Sequence, residues 1–245
     1  MRVLILGGTR EARDLAGTAS GEPGFEIVSS LAGRVRDPVL PAGPVRVGGF
    51  GGVDGLREWL AANDIDAVVD ATHPFAGTIS AHAAVAAAAL DLPILHVRRP
   101  GWRAGPGDRW FRVPDTAAAA NTVAGLGDRI FLTIGRQEAG AFAALTLQWF
   151  LIRAIDPPTT ALPPEHELVL ARGPFTVDEE TRLLTEYRID ALVTKDSGGE
   201  LTAAKLAAAR IRGIPVVVID RPPLSPGAVT VGSAATAWNW LRALS

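Results

Sequence analysis

Short apolar runs alternate with longer alanine-rich stretches along the whole chain. VLIL, FEIVSS, DAVVDA and PILHV come first; IFLTI, WFLIRA, ELVLA, DALVT and PVVVI follow. The runs are short, rich in β-branched and aromatic residues, and almost continuously hydrophobic, as strands covered on both faces are. The segments between them have the length and composition of helices. Strands alternating with helices predict the α/β class, with mostly parallel sheets.

The pattern is written twice. RVLILGGTREA (2–12) aligns without gaps to RIFLTIGRQEA (129–139), with matches at Arg2/Arg129, Gly8/Gly135, Glu11/Glu138 and Ala12/Ala139. VDGLREWLAANDIDAVV (53–69) aligns to VDEETRLLTEYRIDALV (177–193), and LPILHVRRP (92–100) to IPVVVIDRP (214–222). Each half then closes with a short strand and a helix: WFRV with 115–125, and VTV with 233–243. Matches in one order predict an internal duplication. The expectation is two tandem Rossmann-like domains, residues 1–127 and 128–245, with a ligand cleft between them. Equivalent strands would fit either sheet, so exchange between the halves stays open. Ligands of such sheets bind beyond the carboxyl ends of the strands, which points to the loops after residues 6, 30, 70, 134 and 194.

Composition narrows the chemistry. The 245 residues carry a net charge of −2, which gives no general attraction to nucleic acid or to a membrane surface. With no cysteine there are no disulfides, thiolate nucleophiles or cysteine metal sites. The four histidines (73, 82, 96, 166) lack metal-ligand spacing, so no metal is expected. The apolar runs MRVLIL and AAVAAAAL (83–90) are too short for a signal peptide or a membrane span, which predicts a soluble cytoplasmic protein.

The loops carry the candidate chemistry. Gly7-Gly8-Thr9-Arg10-Glu11 follows the first strand and opens a helix, where backbone N–H groups receive a pyrophosphate; a plain strand-to-helix turn looks the same. After the second strand, Ser30 and Arg34 stand where an NAD enzyme often has an acid, which favours the extra phosphate of NADP. In Gly48-Gly49-Phe50-Gly51-Gly52 the backbone can approach a ligand while Phe50 packs on it. Thr72, His73 and Pro74 leave the fourth strand at its ligand end, and His73 reads as a proton donor, a ligand contact or a structural group.

Of the 24 basic residues only Lys195 and Lys205 are lysines, and both lie in TKDSGGELTAAK (194–205). Ser197, Gly198, Gly199, Thr202 and the two lysines make a small anion site there, with Thr202 and Lys205 sharing a helix face near the loop. Arg136, beside Gly135, sits in a degenerate copy of the first glycine loop and reads as a clamp for carboxylates. Arg99, Trp102 and Arg221 follow the fifth strands and are expected in the same cleft.

Together these stretches resemble the precorrin-6A reductase family of cobalamin biosynthesis over nearly the whole chain. The carriers are ILGGTREA, SLAGR, GGFGG, DATHPFA, RRPGW, TIGRQE, TKDSGG with Thr202 and Lys205, and IDRPP. The resemblance implies an NADPH-dependent reductase that adds hydride to a conjugated double bond of precorrin-6A, or of its cobalt-containing analogue. The substrate is then a tetrapyrrole-derived macrocycle fringed with carboxylates, and neighbouring enzymes of that pathway are candidate partners. It implies that Gly7–Glu11, Ser30, Arg34, Gly49, Phe50 and Thr72–Pro74 hold NADPH. It implies that Lys195, Ser197, Gly198, Gly199, Thr202 and Lys205, with Arg99, Trp102, Arg136 and Arg221, hold the macrocycle. His73, Asp196 and water stay open as the proton source. A short-chain dehydrogenase is excluded, because the only tyrosine, Tyr187, has Ala191 rather than lysine four residues on. A nucleotide-sensing module and a tetrapyrrole carrier are the non-catalytic alternatives.

Overall fold

Each apolar run forms a strand, and the strand pairings are parallel, in the computed structural model, which describes residues 1–33 and 38–245, Leu201 by its backbone alone. The chain divides into two units: Met1–Pro100 with Pro222–Ser245, and Gly101–Arg221.

The first unit is built on β1 (Arg2–Leu6), β2 (Glu26–Leu31), β3 (Val45–Val47), β4 (Ala67–Asp70) and β5 (Ile94–Val97), with helices α1 (Arg10–Ala19), α2 (Gly52–Ala62) and α3 (Gly77–Ala88) between them. The second contains β6 (Trp110–Val113), α4 (Thr116–Val123), β7 (Arg129–Thr133), β8 (Trp149–Ala154), β9 (His166–Leu170), α5 (Val177–Glu186), β10 (Ala191–Lys195), α6 (Ala204–Arg212) and β11 (Val216–Ile219). The chain then supplies β12 (Thr230–Val231) and α7 (Ala234–Arg242).

The sheet orders are β12-β5-β4-β1-β2-β3 and β6-β11-β10-β7-β8-β9. Numbered within each repeat, both read 6-5-4-1-2-3, the doubly wound order. The sixth strand of each sheet comes from the other half. β6 pairs with β11 through Val216↔Trp110 to Ile219↔Val113, and β12 pairs with β5 through Thr230↔His96 and Val231↔Val97. The halves are exchanged at that strand and its helix, so the division expected at 127/128 falls inside the second unit. β3 is a strand the hydrophobic pattern did not announce: it is three residues between Pro44 and Gly48.

Residue alternation explains the layers. Val3 and Ile5 of β1 face Leu15 of α1 and Leu241 of α7, while Leu4 and Leu6 face Leu56 and Leu60 of α2 and Ala83 of α3. In the second sheet Phe131, Leu192 and Val216 pack against Leu184 of α5 and Leu206 of α6. Alanine on α1, α3 and α6 lets the helix backbones approach the sheet closely. The central strands of both sheets are thus buried, while the edge strands β3, β6 and β9 stay partly exposed.

Candidate functional site

In the first unit, β1 ends in Gly7 and Gly8, and Thr9 caps α1. Gly7 donates its N–H to the Ser30 carbonyl at 2.9 Å, tying this turn to the end of β2. The Thr9 hydroxyl donates to the Ala71 carbonyl at 2.7 Å and accepts from Ala12 N–H at 3.1 Å, tying the same turn to the end of β4. The Thr9 side chain is therefore spent on structure. Gly8 has φ +111°, a conformation that side chains resist. A Cβ placed on Gly8 or Gly49 meets no atom within 4 Å, so the backbone at both is open to a ligand.

Arg46 organises the GGFGG loop. It donates to Ser30 Oγ at 3.0 Å and to the carbonyls of Gly48 and Gly49 at 2.9 and 3.0 Å. Its guanidinium lies 3.7 Å over the Phe50 ring, which also meets Trp59 edge-on. Burial pulls the Arg46 pKa down. Phe50, expected to pack on a ligand, is engaged by Arg46 and Trp59, and the Ser30 hydroxyl by Arg46. Arg34 lies outside the described residues.

Thr72, His73 and Pro74 line a concavity with Ser80, Arg98 and Pro222–Leu224, all in the first unit. His73 is exposed, and its Nδ1 accepts from Phe75 N–H at 3.3 Å. In the neutral ring that leaves the proton on Nε2. Glu11 is paired with Arg99 at 2.8 Å. Arg99, grouped by sequence with the second-half basic residues, thus stands in the first unit beside Glu11.

The second unit repeats the plan with different chemistry. After β7 the chain makes only a 3₁₀ turn, Ala139–Phe142, where the first unit has α1. Lys195 pairs with Glu138 at 2.6 Å, and Thr116 donates to the same carboxylate at 2.9 Å. Asp196 is buried. It accepts from Trp102 N–H at 2.9 Å and from Arg112 at 2.8 Å, while Arg221 Nε donates to its carbonyl at 2.7 Å. Gly101 lies so close that a Cβ there would sit 2.7 Å from Asp196 Oδ2. Trp102 Nε1 donates to the Gly199 carbonyl at 3.0 Å. The RRPGW and TKDSGG stretches therefore meet, with Asp196 as their anchor. Thr202 donates to the Gly198 carbonyl at 3.0 Å. Ser197 lies on the same loop, Arg136 beside Gly135.

Lys205 departs from expectation. It does not share a helix face with Thr202, which ends a 3₁₀ turn before α6: Lys205 is 6% exposed, donates from Nζ to the Thr202 carbonyl at 2.6 Å and sits 4.9 Å over the Trp102 ring. Burial, reinforced by nearby Arg153 and opposed by Glu180, pulls its pKa down to about 8. Arg153 and Glu180 are themselves a buried pair at 2.7 Å. α6 starts at Ala204, with Ala203 at its N-cap and no side-chain cap.

Sequence reading missed Arg46, Asp70, His96, Arg112, Arg153, Glu138 and Glu180. Glu138 had a signal, since it repeats Glu11 in the duplication. Arg112, Arg153 and Glu180 depend on partners far along the chain and leave no local pattern.

The sequence matches the family described as precorrin-6x reductase CbiJ/CobK across residues 2–242. A precorrin-6A reductase of Rhodococcus erythropolis is 58% identical over 244 residues, covering 100% of this chain and 98% of the relative. One from Mycobacterium tuberculosis is 55% identical over 245 residues, covering 99% of this chain and 98% of the relative. A solved structure named CobK precorrin-6A reductase superposes with a TM-score of 0.90 at 44% identity, covering 99% of this chain and 96% of that one.

Proposed function

We propose that this chain, which belongs to the precorrin-6x reductase CbiJ/CobK family, works in the cytoplasm with NADPH held by its first unit and the macrocycle held by its second. The chain is an oxidoreductase of cobalamin biosynthesis that reduces a carbon–carbon double bond of precorrin-6A. A reduction of this kind calls for a nicotinamide cofactor. The relatives at 55% and 58% identity are named for the cobalt-free substrate, which favours it over the cobalt form.

One observation carries the division of labour: the two first-strand loops have diverged. Gly8 leads into the ten-residue α1, capped by Thr9, whereas Gly135 leads only to a 3₁₀ turn with Lys195, Arg136 and Arg221 in the same unit. The start of a full helix leaves backbone N–H groups without intrahelical partners, which suits a pyrophosphate. The open backbone at Gly8 and Gly49 fits a dinucleotide. Gly7, Gly8, Thr9, Arg10 and Glu11 would hold its phosphates by main-chain groups. Ser30, Arg34, Gly49, Phe50 and Thr72–Pro74 would hold the rest. No helix among the described residues is long and apolar enough to cross a membrane.

In this reading the bound cofactor supplies the hydride. The protein's share is position and charge. Arg136, Lys195, Ser197, Gly198, Gly199, Thr202, Lys205, Trp102 and Arg221 receive carboxylates and a face of the macrocycle. Arg99 serves the first unit, where it holds Glu11. Of the proton candidates, His73 fits better than Asp196. His73 is exposed with Nε2 as donor, while the Asp196 oxygens already accept from Trp102 and Arg112.

Arg34→Ala tests the cofactor assignment. Loss of a charge-assisted contact to the 2′-phosphate is expected to raise the NADPH Kd about 10-fold and leave NADH unchanged, in fluorescence titrations run side by side. Equal losses for the two nucleotides would remove Arg34 from that role.

A further inference from the structure

One buried carboxylate in the first unit has no part in the contacts assigned above. Asp70 closes β4 and is 4% exposed; its neighbour in the β4–β5 register is His96, 2% exposed. His96 Nδ1 lies 2.9 Å from Asp70 Oδ2. The other oxygen, Oδ1, accepts twice from Thr72, from the backbone N–H at 3.1 Å and from the hydroxyl at 2.7 Å. Ser80, on α3, is hydrogen-bonded to the same carboxyl group. Burial pushes the Asp70 pKa up, but the bonds from His96, Ser80 and Thr72 outweigh it and hold it below the ordinary carboxylate value. A buried carboxylate needs its hydrogen bonds filled, and here two of them come from the residue that opens Thr72-His73-Pro74.

The duplication supplies an internal control. In the second sheet the matching register pairs Thr194 with Val218, both buried. The fold therefore does not require an acid and an imidazole at these positions, since its own copy is built with a hydroxyl and a methyl-bearing side chain. The aspartate–histidine pair occurs in the unit whose loops suit a dinucleotide.

We propose that Asp70 and His96 are positioning residues for the nucleotide site: His96 fixes one oxygen of the carboxylate so that the other holds Thr72, and through it the His73 turn, in the orientation that receives the cofactor. The inference rests on the reading of the first unit as the NADPH site. Neither residue need touch the nucleotide. Their effect travels through two bonds to Thr72 and one to Ser80, all of which line the same concavity.

The test transplants the second sheet's pair into the first, as the double variant Asp70→Thr/His96→Val. NADPH binding is measured by fluorescence, steady-state KM values for NADPH and precorrin-6A are determined, and folding is followed by circular dichroism. The expected result is a folded protein whose NADPH Kd and KM rise about 10-fold or more, with the precorrin-6A KM unchanged. A folded double variant with wild-type nucleotide affinity overturns the proposal. If the double variant does not fold, Ser80→Ala removes one bond to the Asp70 carboxylate at a residue assigned no contact with the cofactor. A severalfold rise in the NADPH KM then supports the proposal, and an unchanged value overturns it. Wild-type protein that binds no nicotinamide nucleotide would instead sink the underlying reading, and this inference with it.

Discussion

Lys205→Met is expected to make the protein more stable and a poorer enzyme. Lys205 is buried in the second unit, and burial pulls its pKa from 10.5 to about 8. Between those values the unfolded chain binds more protons than the folded one, so stability rises with pH through that window. Below pH 8 the folded state carries the whole cost of a buried charge, roughly 3 kcal/mol by linkage. Methionine keeps the stem's packing without the charge. It forfeits the bond to the Thr202 carbonyl and the contact with the Trp102 ring, about 1 kcal/mol each. The balance is a gain of about 1 kcal/mol at pH 7, or about 2–4 °C in Tm for a protein of this size. The gain should shrink as pH rises above 8 and be gone by pH 10, as wild-type Lys205 in the folded state loses its charge.

In the proposed site Lys205 receives a macrocycle carboxylate, and on that reading the same substitution should raise the precorrin-6A KM about 10-fold. Such a trade between stability and activity is expected where a strained group does chemical service. Thermal melts at pH 7 and pH 10, with kinetics at pH 7, check both halves. A variant that melts lower at pH 7 and keeps its KM would show Lys205 to be structural. Lys195→Ala is the contrast: Lys195 is paired with Glu138 at 2.6 Å, so its removal should bring no stabilisation.

Gly8→Val should nearly abolish nucleotide binding. Gly8 has φ +111°, where a β-branched residue costs about 1–3 kcal/mol of backbone strain. The valine side chain would also occupy the space in which a Cβ at Gly8 now meets nothing within 4 Å. Both effects fall on the turn that opens α1. The NADPH Kd should rise about 100-fold or more, the sum of a lost phosphate contact and a steric block. Precorrin-6A affinity should be unchanged, because Gly8 belongs to the first unit alone. Isothermal titration with each ligand separates the two. An NADPH Kd within threefold of wild type would mean that this turn does not hold the pyrophosphate.

Much of this architecture is legible in the chain. VLIL, DAVVDA and PVVVI are near-continuous apolar runs, and such runs occur where a strand is buried on both faces. The duplication shows in matched pairs such as Gly8/Gly135 and Glu11/Glu138. The exchange of β6 and β12 is not legible, because WFRV and VTV would suit either sheet and pairing choice is a property of the whole fold. Lys205 shows the limit of local spacing. Three residues from Thr202, it was expected to share a helix face with it; but 200–202 form a 3₁₀ turn, and α6 turns Lys205 inward with Leu206, Ala208 and Ala209. The site's electrostatics were least legible. Arg99 with Glu11, Lys195 with Glu138 and His96 with Asp70 lie 88, 57 and 26 positions apart, and only the folded sheets bring them together.

The central claim is that this chain takes hydride from NADPH for precorrin-6A. The direct test mixes purified protein with enzymatically prepared precorrin-6A and NADPH, and follows nucleotide absorbance together with the macrocycle spectrum, with NADH in a parallel sample. The account predicts NADPH loss that depends on precorrin-6A, equals the macrocycle converted, and runs faster than with NADH. A macrocycle spectrum that stays constant with NADPH present, or conversion that proceeds equally well with NADH, would contradict it.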